Sequence, residues 1–249
     1  MGRIWNLIWR NRGDTYRTVI VAVLVALGIR TFLFEPFNIP SGSMKPTLLV
    51  GDYLFVSKMS YGYSRHSFPW SFPPFSGRVF GSDPERGDVA VFKTPADNNT
   101  DYIKRVIGLP GDRIQVRAGE LYINDQLVPR EDLGPSPFGR CSAYQGSPRP
   151  TAYRETLPGG VSHVIWKCSD SGRANNTRVF TVPPDHFFMM GDNRDNSNDS
   201  RGSVGPVPLE NFVGRADILF ISFDDQSSIF DPSDWGDLIR WGRIGKTIE

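Results

Sequence analysis

An excess of either charge is missing from this chain. Twenty-eight Lys and Arg stand against twenty-seven Asp and Glu, a net of +1 over 249 residues, so no basic field exists to attract nucleic acid, and no nucleic-acid partner is expected. Cysteine is nearly absent: Cys141 and Cys168 are the only two, without CxxC spacing or a nearby His cluster, which argues against a zinc site. They suit a disulfide in an oxidising compartment or two unrelated thiols equally well. Histidine is scarce too. His66, His163 and His186 sit in no motif, which leaves a Ser-His-Asp triad with poor candidates. Beyond residue 35 the sequence also lacks long stretches of 3.6-residue periodicity, which excludes a helical bundle.

One long hydrophobic run is present, at the N-terminus. Thr18 to Ile29 is uninterrupted, and Phe32, Leu33 and Phe34 extend it past Arg30 to roughly 17 residues, about the shortest length that spans a bilayer. Arg30 falls near the far end, where its stem stays in lipid while the guanidinium reaches the headgroups. Arg3, Arg10, Arg12 and Arg17 precede the run with Asp14 as the only acid, so the positive-inside rule places residues 1–17 in the cytoplasm, a transmembrane helix at 18–34 and residues 35–249 outside. Trp5 and Trp9 suit the cytoplasmic interface. A cleaved signal peptide is the rival reading of the same basic start, apolar core and small residues Ala26 and Gly28; both readings export the remainder.

The exported part reads as all-β: short runs rich in Val, Ile, Phe and Tyr bounded by Gly, Pro, Asp and Asn. Strands are expected at 53–57, 89–93, 102–107, 113–116, 121–123, 164–166, 179–182, 186–190 and 216–223, punctuated by the turn pairs Gly51-Asp52, Gly87-Asp88 and Gly111-Asp112. Residues 129–178, richer in Pro, Gly, Ser and charge, read as an insertion on this antiparallel core. The tract 68–75, with four aromatics and three prolines, is either a packed loop or a dip into the membrane surface.

Three segments carry possible chemistry. Pro40-Ser41-Gly42-Ser43-Met44 is a small-residue loop that presents hydroxyls without steric cover. Tyr102-Ile103-Lys104-Arg105 puts a lysine inside an apolar strand; burial and the adjacent arginine both disfavour its ammonium form, as a lysine general base requires. Gly191 to Arg201 is a dense polar run. Asp195, Ser197 and Asp199 have the alternate spacing of a calcium loop, but Ser200 and Pro206 occupy its glycine and closing glutamate positions, which argues against a metal. No cofactor motif is present.

Together Ser41-Gly42-Ser43-Met44, Gly87 to Lys93, Tyr102 to Arg105 through Gly111-Asp112, and Gly191 to Ser197 resemble, in wording and in order, the signature boxes of the bacterial type I signal peptidases. The resemblance runs from the apolar segment to about Phe223. It implies a β-sheet serine endopeptidase that removes leader peptides from exported preproteins after a small-x-small junction, held in the bacterial inner membrane with its catalytic domain outside. It implies Ser43 as nucleophile and Lys104 as general base, with the Ser43 amide and the Ser41 hydroxyl as oxyanion hole. Ser197 would orient the lysine, Asp199 and Arg201 would form a supporting pair, and Ile39, Pro40, Val91 and Ile103 would wall the substrate pockets. Its partners would be signal-peptide-bearing preproteins and the lipid bilayer. The family's best-known bacterial member has two membrane segments before the serine, where this chain has room for one. Two other classes stay open on the residues alone: a non-enzymatic β-domain binding at the membrane surface, and a self-cleaving Ser-Lys repressor, which would need a helix-turn-helix where this chain has an apolar run.

Overall fold

The computed structural model describes residues 12–68, 75–142, 146–172, 174–224 and 238–248. Trp5, Trp9, Trp235 and the interior of the aromatic tract lie outside them.

Helix α1 (Arg12–Phe32) contains the apolar run. Its 21 residues give about 31 Å of length at 1.5 Å per residue, enough to cross the hydrocarbon core of a bilayer. The stretch Thr15–Phe32 has a mean hydropathy of 1.5, with none of it buried against the protein. The expected boundary at residue 34 moves inward. Pro36 disfavours helical geometry at Glu35, and Phe34 already pairs with Ser57 as the first residue of a strand.

Fourteen strands follow among the described residues: β1 (Phe34–Asn38), β2 (Asp52–Ser57), β3 (Val89–Lys93), β4 (Asp101–Gly108), β5 (Arg113–Arg117), β6 (Glu120–Ile123), β7 (Gln126–Leu127), β8 (Arg130–Pro135), β9 (Thr151–Thr156), β10 (Ser162–Lys167), β11 (Phe180–Thr181), β12 (His186–Met190), β13 (Val207–Pro208) and β14 (Phe212–Ser222). The main sheet has the order β1-β2-β14-β3-β4-β12-β13; smaller sheets are β11-β5-β6-β7 and β10-β9-β8. Neighbouring strands within the three sheets pair antiparallel, as β3 does with β4 and β4 with β12. The protein is therefore a mostly antiparallel β structure behind one apolar helix.

The segment 129–178 is more ordered than its composition suggests. It holds the whole β8-β9-β10 sheet, whose alternation the charges of Arg130–Asp132 and Arg154–Glu155 obscure. Cys141 and Cys168 form a disulfide, which settles the choice between a bridge and two thiols.

Three apolar clusters fill the fold. One of them joins Ile39, Met44, Val91 and Val213, with Ile103 packed against it, and so runs directly beneath the Ser43 loop.

Candidate active site

Ser41 to Met44 close the chain between β1 and β2 as a single 3-10 turn over Gly42–Met44. The apolar Met44 and Leu48, just after Ser43, are fully buried and pin the turn to the core. The polar run completes the mounting: the Asn193 amide donates to the Ser43 carbonyl at 3.1 Å, and its side-chain amide donates to the Gly42 carbonyl at 2.9 Å. A Cβ on Gly191 would meet Ser197 Oγ and come within 2.5 Å of the Ser43 carbonyl oxygen, so only glycine allows this approach.

Lys104 comes from the centre of β4, opposite Ala90 of β3. It is 4% exposed, and its Nζ donates to Ser43 Oγ at 2.8 Å and to the Ile103 carbonyl at 2.8 Å. Burial pushes its pKa down to about 8, while the carboxylates of Asp199 and Asp192 pull in the opposite direction. The adjacent Arg105 does not act as the sequence suggested. Successive strand side chains leave on opposite faces, and the Arg105 guanidinium is locked in a fully buried two-point pair with Asp192, at 2.9 and 2.8 Å. Its charge is thereby neutralised. Asp192 also accepts from Thr47 Oγ1 at 2.5 Å, so this pair braces the turn that carries Ser43.

Ser41 Oγ lies 3.3 Å from Ser43 Oγ, on the exposed rim of the site. Ser197 does not take the expected contact with the lysine: its Oγ is enclosed and turned to Asp199, whose carboxyl it helps to lower. Asp199 and Arg201 form a buried pair at 2.8 Å, and Asp199 also accepts the Gly191 amide at 3.1 Å. Burial alone would raise the Asp199 carboxyl, but Arg201 holds it below the usual carboxylate range. Of the expected pocket residues, Ile39, Val91 and Ile103 meet in one apolar cluster, with Val91 directly across from Ile103 in the β3-β4 register; Pro40 stays exposed beside them. Asp195 accepts from the Cys168 and Ser169 amides and from Asn175.

His163 is buried between Glu155 and Asp192, at 3.5 and 3.8 Å. Burial, with Arg105 nearby, lowers its pKa to about 4, so it is neutral near pH 7. His186 bonds the Pro184 carbonyl. Asn193, Thr47 and the Arg105–Asp192 pair were missed by sequence reading. Arg105, Asp192 and Asn193 lie inside the signature segments and Thr47 just past the first, but nothing along the chain reveals that 145 positions close between Thr47 and Asp192.

The family described as signal peptidase, peptidase S26, matches residues 12–221. Signal peptidase I of Rickettsia typhi is 40% identical over 245 residues, covering 91% of this chain and 90% of that protein. Signal peptidase I of Rickettsia felis is 43% identical over 208 residues, covering 80% and 76%. Among solved structures, a signal peptidase I from Enterococcus faecalis aligns at 27% identity and a TM-score of 0.33, over 54% of this chain and 97% of that one.

Proposed function

Because the chain belongs to the signal peptidase family, peptidase S26, we propose that it removes signal peptides from exported preproteins by attack of Ser43, with Lys104 as general base. The observation that carries this reading is the 2.8 Å contact between Lys104 Nζ and Ser43 Oγ, made by a lysine whose burial brings its pKa to about 8. A neutral amine at that distance removes the hydroxyl proton as the oxygen attacks the scissile carbonyl, and the resulting ammonium then protonates the leaving amine. The Ser43 amide and the Ser41 hydroxyl are positioned by this scheme to receive the developing oxyanion. Asp199 and Arg201 hold the Gly191 backbone against the turn and thereby support the pair.

Substrate choice follows from the walls. Ile39 and Val91 are only 3% and 1% exposed in the cluster that Ile103 packs against, with Pro40 at its rim, so the little apolar surface they leave open favours Ala-sized side chains at a small-x-small junction. We place α1 across the bacterial inner membrane in a single pass, with the basic N-terminus in the cytoplasm and the catalytic domain outside. Leader and enzyme then share one surface, which raises their effective concentration.

The test is cleavage of a peptide with an Ala-x-Ala junction, in detergent, by the wild-type chain, Ser43→Ala and Lys104→Ala. Cutting after the second Ala by the wild type alone is the expected result. Activity surviving in Lys104→Ala would assign the base elsewhere, and a wild type that cuts nothing would favour a binding domain at the membrane surface.

A further inference from the structure

The joint between α1 and the β-domain is built from more groups than a chain connection needs. Glu35, three residues beyond the helix, holds Lys58 Nζ at 2.9 Å through one carboxylate oxygen and Arg30 Nη2 at 3.1 Å through the other. Lys58 is 2% exposed, and its ammonium also donates to the Ser67 carbonyl. Backbone and rings reinforce the tie. The Lys58 amide donates to the Leu33 carbonyl at 3.0 Å, and the Tyr63 hydroxyl donates to the Phe32 carbonyl at 2.6 Å. The Phe32 ring packs edge-on against Tyr63 and Phe68. The last carbonyls of a helix ordinarily go to water or to a cap; here groups of the β-domain take the carbonyl of Phe32, the last residue of α1, and that of Leu33 just after it.

This joint borders a cavity of about 850 Å³ that also touches Leu27, Thr31 and Lys93. Its cations do not make it an anion site. Arg30 and Lys58 share Glu35, and Lys93 is paired to Asp101 at 2.8 Å. The charges face one another across the junction and tie helix to sheet. β1 then carries this fixed geometry for five residues toward the Ser43 turn, roughly 17 Å at strand rise.

We propose that Arg30, Glu35, Lys58 and Tyr63 are positioning residues that fix the tilt and height of the Ser43–Lys104 site over the bilayer, and so select scissile bonds presented at one depth by a membrane-held leader. The proposal rests on the reading above, that α1 spans a membrane and that leaders are the substrate. None of the four touches the reacting atoms. Their effect falls on a substrate whose position is itself set by the bilayer, because misplacement of about 1 Å between reacting groups costs up to 10²-fold in rate, whereas a free peptide moves to meet the site wherever it stands.

The experiment uses the full chain in vesicles of one fixed lipid composition with two substrates: a soluble Ala-x-Ala peptide, and a preprotein whose leader is inserted in the same vesicles. The double variant Arg30→Gln/Tyr63→Phe loosens the joint without leaving Lys58 buried and unpaired. Insertion of two glycines after Phe32 loosens it without removing any side chain. For both, kcat/KM on the inserted preprotein should fall at least tenfold while the soluble peptide is cut within twofold of wild type, and Arg30→Lys, which keeps the charge, should retain the wild-type ratio. Preprotein cleavage within twofold of wild type in both variants overturns the proposal. So does an equal fall on both substrates, which would make the joint a support of the catalytic domain alone. A wild type that cuts neither substrate refutes the underlying protease reading instead.

Discussion

Removing the amine of Lys104 should abolish cleavage and at the same time stabilise the fold at neutral pH. A lysine moved from its usual 10.5 to about 8 carries a penalty of about 3 kcal/mol, at 1.36 kcal/mol per unit. The folded value lies below the unfolded one, so between about 8 and 10.5 the unfolded chain binds the extra proton and stability rises with pH. Below 8 the whole penalty is present. Lys104→Met removes it, and gives up the bonds to Ser43 Oγ and the Ile103 carbonyl, together worth about 1 to 2 kcal/mol. The net expectation is a gain of about 1 to 2 kcal/mol at pH 7, or a few degrees in Tm, which disappears by about pH 10.5. Thermal unfolding of both proteins from pH 6 to 11 measures it. Activity supplies the second readout. About 9% of Lys104 is neutral at pH 7, against about 0.03% for an unperturbed lysine, so wild-type kcat/KM should rise tenfold per pH unit and level off through an apparent pKa near 8. A Lys104→Met protein less stable than wild type at pH 7, by a margin independent of pH, would refute the reasoning; so would a wild-type rate still climbing past pH 10.

The other expectations are more local. Gly191→Ala should lower kcat at least tenfold and stability by about 1 to 3 kcal/mol, because the new methyl presses on the Ser43 carbonyl and on Ser197; steady-state kinetics beside chemical denaturation separate the two, and Gly191→Ala/Ser197→Ala should recover part of the loss. Reducing the Cys141–Cys168 bridge, 27 positions apart, should cost about 3 to 4 kcal/mol by loop-closure entropy; a denaturation midpoint unchanged by reductant counts against that figure. Arg105→Met leaves Asp192 buried without its partner and should cost about 3 to 5 kcal/mol, whereas Arg105→Met/Asp192→Leu should recover most of that stability.

The strands that sequence reading located are those whose signal is local. β3 and β12 were read with their full boundaries, and β2, β4 and β14 within a few residues, because short apolar runs and the turn residues that bound them act over neighbouring positions. β1 was missed because it follows the apolar run without a break and its pattern, Phe34-Glu35-Pro36-Phe37-Asn38, is half exposed. β8 and β9 were missed because both faces of their hairpin carry charge, and only the cross-strand pairs, such as Arg154 with Glu131 at 2.7 Å, reveal the partnership.

The sequence alone determined that the chain is a β protein behind one apolar helix, and the wording and order of four short segments pointed to Ser43 and Lys104, which the fold brings to 2.8 Å of each other. It named two causes for an acidic Lys104, and the fold keeps only one: burial lowers the amine, while Arg105 is spent on Asp192. It did not determine what mounts Ser43, how the cysteines are joined, or how the helix is fastened to the sheet. Each of these depends on groups far apart in the chain, as Lys104 and Ser43 are by 61 positions. Local preferences act over a few residues and are written in order along the chain, while desolvation and ion pairing depend on what the fold closes around a group.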